Sequence, residues 1–117
     1  MKELEELRQE ELIRKLETCR KIYPYGAGKA CSDFLQYLRK HNLIEKVEGI
    51  LVTNRGDNPD RLQNIPVLAL KDYRAQEGDL VIITVVGIYQ KEVISLLEER
   101  RIDNYGVINH LYLEEHV

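Results

Sequence analysis

The feature that most limits what this chain can fold into is a change of hydrophobic period at residue 26. Ile22-Tyr23-Pro24-Tyr25 is β-branched and aromatic, and Pro24 cannot continue a helical ladder, so the run reads as a strand. Gly26-Ala27-Gly28 follows. Over residues 29–41, Cys31, Phe34, Leu35 and Leu38 then recur at three- and four-residue spacing on one helical face. The same alternation continues downstream. Residues 47–53 form a second strand, apolar on successive positions as a strand covered on both faces must be. Residues 66–70 are a third, with Pro66 at the first position, where a missing N–H is tolerated. Residues 80–85 are the strongest strand and the expected centre of the sheet, launched by the turn signal Glu77-Gly78-Asp79. Residues 90–101 read as an amphipathic helix with Val93, Ile94, Leu96 and Leu97 inward, and residues 105–108 as a fifth strand. Asn58-Pro59-Asp60 has the chemistry of a cap and a first turn, which predicts a short helical turn through Leu62.

Strands alternating with helices predict a three-layer α/β domain with a five-stranded, mainly parallel sheet in the order 3-2-1-4-5, wound with right-handed crossovers. Residues 1–20 add an extra amphipathic helix, in which Leu4, Leu7, Leu12, Ile13, Leu16 and Cys19 fall near one stripe. That stripe must be covered, either by the sheet or by another protein surface. The second alternative implies a homo-oligomer or a partner catalytic domain docked through the helix. With 44% hydrophobic residues, a chain of 117 residues supports one core without disulfide or metal staples.

Charge narrows the classes of partner. Seventeen basic against twenty acidic side chains give a net charge of −3, so the footprint of a protein that grips nucleic-acid phosphates is missing. The longest apolar stretch, residues 80–89, is half of the roughly 20 residues a membrane-spanning helix needs. Cys19 and Cys31 form neither a disulfide framework nor a metal-spaced cluster, and the charged run MKELEELRQEELIRKL lacks the apolar core of a signal peptide. A reducing, cytoplasmic setting is the expectation.

The glycine turn is the candidate site. Gly26 allows the tight turn, Gly28 lets backbone approach a phosphate with no Cβ in the way, and the amides at the helix start carry partial positive charge beside Lys29. The third small position of such a turn is filled by Cys31, which is bulkier than Gly or Ala. The acid expected about twenty residues on, to hold a ribose, is replaced by Thr53-Asn54-Arg55. Asn54 can hydrogen-bond a ribose or base, and Arg55 can meet an extra phosphate, which favours a phosphorylated nucleotide over ordinary NAD. The alternative is that Gly26 and Gly28 merely fit a tight strand-to-helix turn. Thr84, at the carboxyl end of the fourth strand, falls beside the turn in the expected strand order and is a ligand contact or a plain strand residue.

Tyr25-Gly26-Ala27-Gly28-Lys29, with Ile50-Leu51-Val52, Asn64-Ile65-Pro66-Val67, Asp79-Leu80-Val81-Ile82-Ile83 and a helix beginning at Gln90, resembles the small Rossmann-like, CoA-binding-like domains of bacterial sugar-nucleotide enzymes. Similar domains occur in nucleotide-sugar dehydratases, in acyltransferases of nucleotide-linked aminosugars and beside glycosyltransferases of surface polysaccharide synthesis. The resemblance spans residues 21–109, and it makes residues 21–117 a nucleotide-binding domain. It implies that Gly26, Ala27, Gly28 and Lys29 face the phosphates of a nucleotide sugar or of NAD(P). It also implies that Asn54 and Arg55 flank the sugar or base, and that Thr84, Val85 and Val86 line the crevice. Such domains serve as accessories to a catalytic partner. An NAD(P)-dependent oxidoreductase acting on a sugar nucleotide is the enzymatic alternative, and an interaction module with a vestigial glycine loop the third.

The remaining candidates read as structural. His41, His110 and His116 are too far apart for a ligand pair, and His41 suits a helix end. Cys31 lies on the Phe34, Leu35, Leu38 face, which argues core over nucleophile. Asp57 and Asp60 read as turn and cap residues. The tyrosines, Tyr89 among them, suggest packing and rim contacts, and no acid–base pair stands out.

Overall fold

The computed structural model describes residues 4–85 and 87–109. In chain order the elements are α1 (Leu4–Thr18), β1 (Lys21–Tyr25), α2 (Lys29–Lys40), β2 (Ile50–Val52), β3 (Arg61–Leu62), β4 (Ile65–Ala69), β5 (Asp79–Ile83), α3 (Gly87–Glu99) and β6 (Tyr105–Val107). Short 3₁₀ turns at Ile44–Lys46 and Leu70–Asp72 complete the path. The strands make one sheet in the order β3-β4-β2-β1-β5-β6, parallel throughout except for the β3–β4 pair. This α/β architecture is compatible with a Rossmann-like fold, but the sheet is mixed and six-stranded where five strands were expected.

The additional strand explains the difference. Residues 58–62 do not form the expected helical turn; Arg61–Leu62 instead pairs antiparallel with β4 through a two-residue connection, Gln63-Asn64. Both of those residues sit at positive φ, 50° and 69°, which is the twist a two-residue hairpin requires. Neither is glycine, so the turn leaves little trace in the sequence. Asn58 is spent within the loop, its side-chain amide donating to the Asn54 carbonyl, while Arg55 pairs with Asp60.

Alternation along the strands builds two cores. Ile22, Ile50, Val52, Val67, Leu80 and Ile82 face one side, where α2 lays Cys31, Phe34, Leu35 and Leu38 and α1 lays Leu12 and Leu16. Tyr23, Tyr25, Leu51, Val81 and Ile83 face the other, covered by Val93 and Leu97 of α3 and by Leu70 and Tyr73 of the β4–β5 crossover. β1 is central despite Pro24, whose ring removes a ladder donor. Even-numbered residues of β1 point their backbone toward β2, as the Gly26 N–H to Leu51 carbonyl bond shows. On that side pairing is confined to Tyr25 with Leu51 and a lone bridge from Ile22 to Val47, whereas five consecutive pairs join β1 to β5. The missing N–H thus falls where the ladder is already interrupted.

α1 belongs to this core. Leu16 is fully buried, and Leu12 packs over β6 so closely that a Cβ on Gly106 would lie 2.5 Å from a Leu12 methyl. The side chains of Leu4 and Leu7 lie outside the described residues. Gln9, also buried, donates to the Val107 carbonyl and accepts from the Asn109 amide. At the other end of α1 the Lys46 ammonium donates to the carbonyls of Leu16, Glu17 and Cys19 at 3.0, 2.7 and 3.0 Å. Leu12 and Leu16 are therefore occupied by the protein's own sheet and offer no stripe to a partner.

α3 begins at Gly87, three residues before the expected Gln90. Its first turn carries Ile88 and Tyr89, 81% and 53% exposed, so the inward-facing apolar period does not register them. Among the described residues no helix is long and apolar enough to cross a membrane.

Candidate functional site

The carboxyl ends of β2, β1 and β5 open onto a crevice where connections leave in opposite directions, from β1 through α2 to β2 and from β5 through α3 to β6. In sheets of this kind that is where ligands settle. Gly26 turns the chain out of β1 at φ 109°, a conformation L side chains rarely adopt. A Cβ there would also meet Val85 Cγ1 at 2.8 Å and Thr84 Oγ1 at 3.2 Å. The scaffold itself therefore demands glycine at 26.

Gly28 is different. As the N-cap of α2 it has φ −103° and ψ −159°, which other residues adopt, and a Cβ added to it would meet nothing within 4 Å. No neighbour among the described residues requires that position to be glycine. The Gly26 N–H serves the sheet, and the first bond at this end of the helix runs from the Ser32 N–H to the Gly28 carbonyl at 3.1 Å. Between them, the N–H groups of Ala27, Gly28, Lys29, Ala30 and Cys31 donate to no protein group among the described residues. Among the described residues no side chain caps them, and no acid occupies the first turn of α2. Those of Ala27, Gly28, Lys29 and Ala30 stand beside a cavity of about 660 Å³, with Cys31 fully buried behind them. Exposed helix-start amides with the dipole behind them attract an anion.

Thr84 holds this arrangement from behind. Its hydroxyl donates to the Tyr25 carbonyl at 2.8 Å and approaches the Gly26 carbonyl at 3.3 Å, and its N–H donates to the Tyr25 carbonyl at 3.0 Å. The side chain expected as a ligand contact thus positions the glycine turn. Val85 packs against Gly26 and borders the cavity, while Val86 lies outside the described residues. Lys29 reaches the rim, largely exposed, with its ammonium 3.0 Å from Asp33. Asn54 lines the cavity. Arg55 does not: its guanidinium donates to the Val67 carbonyl at 3.0 Å and pairs with Asp60, tying the loop to β4.

The cavity wall also includes Asn58, Tyr89 and Glu92. Tyr89 offers an exposed aromatic face at the mouth, and Glu92 a carboxylate one turn further along α3. The available sequence signal was positional, a βα junction at the carboxyl end of the central strand, rather than any motif. Tyr25, buried beneath the cavity, shares a 2.7 Å hydrogen bond with the Thr53 hydroxyl, and burial pushes its own ionisation upward.

The other candidates settle into the scaffold. Cys31 is fully buried, and burial pushes its thiol up to about 12, partly opposed by a hydrogen bond with Thr84, so it supplies no thiolate. His41 caps the end of α2 and stacks on Tyr37 at 4.3 Å. His110 and His116 lie outside the described residues. Among the described residues no group of acids, histidines and cysteines is arranged to hold a metal ion. At the opposite end of the sheet, Asp79 accepts from the Tyr73 hydroxyl at 2.9 Å and the Gln76 amide at 3.0 Å, with Arg20 at 3.5 Å. Burial and that carboxylate push the Tyr73 hydroxyl far above its ordinary range. Comparison with protein families, curated proteins and solved structures found no match for this chain.

Proposed function

We propose that this protein binds a phosphate-bearing nucleotide, a nucleotide sugar or a dinucleotide such as NAD(P), with its phosphates on the amides at the start of α2. The observation that carries this reading is the run of uncapped N–H groups from Ala27 to Ala30 beside a cavity. Gly28 supports it, because a side chain there would project into space no protein atom occupies. Tyr89 supports the nucleotide over bare phosphate: an exposed ring at the mouth of the same cavity gives a base a stacking surface. Asn54 supplies hydrogen-bonding groups for sugar or base. Together with the resemblance of the short motifs to domains of sugar-nucleotide enzymes, this suggests an accessory part in bacterial surface polysaccharide biosynthesis.

The test is thermal denaturation of the purified chain titrated with UDP-sugars, NAD(P) and CoA. A ligand present at 100 times its Kd adds about 2.7 kcal/mol, a rise on the order of 10 °C in Tm for a domain of this size. Absence of any shift and of any saturable binding across that panel overturns the reading.

A further inference from the structure

The start of α2, at Lys29 and Ala30, is also one wall of a second, larger cavity. About 890 Å³ in volume, it lies on the far side of Thr84 and Val85, between α1, β6 and the starts of α2 and α3. The two cavities share Lys29, Ala30, Thr84 and Val85, so a group resting on the amides of α2 stands at their junction. The second exists because α1 lies across β6. Gly106 admits Leu12 at close range, and Gln9 ties the helix to Val107 and Asn109.

Its lining is cationic in a chain of net charge −3. Arg8 and Lys15 of α1 and Lys29 of α2 line it, and among the described residues Glu11 is the one carboxylate of the lining. Arg8 and Lys15 are exposed and have no hydrogen-bond or ion-pair partner among the described residues. Seven residues apart on one helix, they lie about 10.5 Å from each other along its axis and on the same side. Two unpaired cations flanking a concavity, with Lys29, paired to Asp33, at its border with the first cavity, raise the local concentration of anions.

We propose that this second cavity receives a second anionic group of the same ligand, a carboxylate or phosphate carried beyond the diphosphate. The ligand is then a nucleoside diphosphate bearing an acidic moiety. Arg8 and Lys15 hold the distal charge and Lys29 marks the passage between the two compartments. This rests on the nucleotide-binding reading and adds to it the chemical class of the distal half.

Binding to the full chain is measured by calorimetry with two matched pairs, UDP-glucuronate against UDP-glucose for a carboxylate and ADP-ribose 1″-phosphate against ADP-ribose for a phosphate, each placing the extra charge on the sugar beyond the diphosphate. The acidic member of one pair binds about tenfold more tightly, the effect of one charge-assisted contact, and which pair discriminates identifies the anion. In the double variant Arg8→Gln/Lys15→Gln the preference falls to near unity, whereas Arg14→Gln, an exposed cation of α1 outside the cavity, keeps it. Saturable binding without discrimination, or a preference that survives in the double variant, overturns this proposal and leaves nucleotide binding standing. Binding by none of the four ligands, with none across the wider panel of UDP-sugars, NAD(P) and CoA, overturns both.

Discussion

Replacing the two glycines of the turn one at a time separates the needs of the scaffold from those of a ligand. In Gly26→Ala the methyl enters at φ 109°, 2.8 Å from Val85 Cγ1 and 3.2 Å from a threonine hydroxyl already bonded to the Tyr25 carbonyl. A residue forced into such a backbone conformation costs about 1–3 kcal/mol, and overpacking against fixed neighbours adds a similar amount. A loss of roughly 2–6 kcal/mol follows, a large share of the 5–15 kcal/mol that holds a typical domain folded. In Gly28→Ala the φ of −103° needs no adjustment and the methyl meets nothing within 4 Å. The poorer N-cap costs about 0.5–1 kcal/mol, and the stiffer unfolded chain returns about 0.4–1 kcal/mol, so net stability changes by less than about 0.5 kcal/mol. Binding responds in the opposite sense, because that methyl occupies the approach to the amides of α2. Urea denaturation followed by far-UV circular dichroism measures the first quantity and calorimetric titration with the tightest nucleotide the second. Gly28→Ala should keep the wild-type midpoint while weakening binding by about tenfold or more, equivalent to about 1.4 kcal/mol. Undiminished nucleotide affinity in Gly28→Ala refutes the placement of the phosphates, and a wild-type midpoint in Gly26→Ala refutes the geometry of the turn.

Three other outcomes are expected. Leu16→Ala, at a fully buried position, should cost about 2–5 kcal/mol in urea titration without changing the sedimentation behaviour of the native protein; dissociation of an oligomer would instead place α1 at an interface. Lys46→Met removes a charged donor from three carbonyls at the end of α1 and should cost about 1–3 kcal/mol, with hydrogen exchange rising first in α1; unchanged protection there would count against the cap. Because burial raises the folded-state ionisation of Cys31 from its ordinary 9.0 to about 12, its contribution to stability is fully present below pH 9 and is lost as pH rises from there toward 12. Urea midpoints should therefore fall above pH 9, with a slope from this group of at most about 1.4 kcal/mol per pH unit, and Cys31→Ala should flatten the fall; a profile identical in the variant would exclude this origin.

What the sequence determined was most of what depends on neighbours along the chain. Period-two and three-residue patterns fixed the five parallel strands and the inward faces of α2 and α3, because burial on one or both faces writes itself directly into residue order. The glycine turn was legible for the same reason: a strand ending, a positive φ at Gly26 and a helix start are local events. Three things required the tertiary structure. The β3–β4 hairpin turns on two positive-φ residues, Gln63 and Asn64, whose side chains do not announce it. The roles of Thr84 and Arg55 depended on which carbonyl each could reach across the sheet, and both are engaged with backbone, the first with Tyr25 and the second with Val67. The sequence left open whether α1 packs on its own sheet or on a partner, and that turned on Gly106, nearly a hundred residues away, whose missing side chain lets Leu12 approach. Local propensity and periodicity act over a few residues, whereas a crevice is made by chain segments that meet only after folding, so its walls are decided by packing.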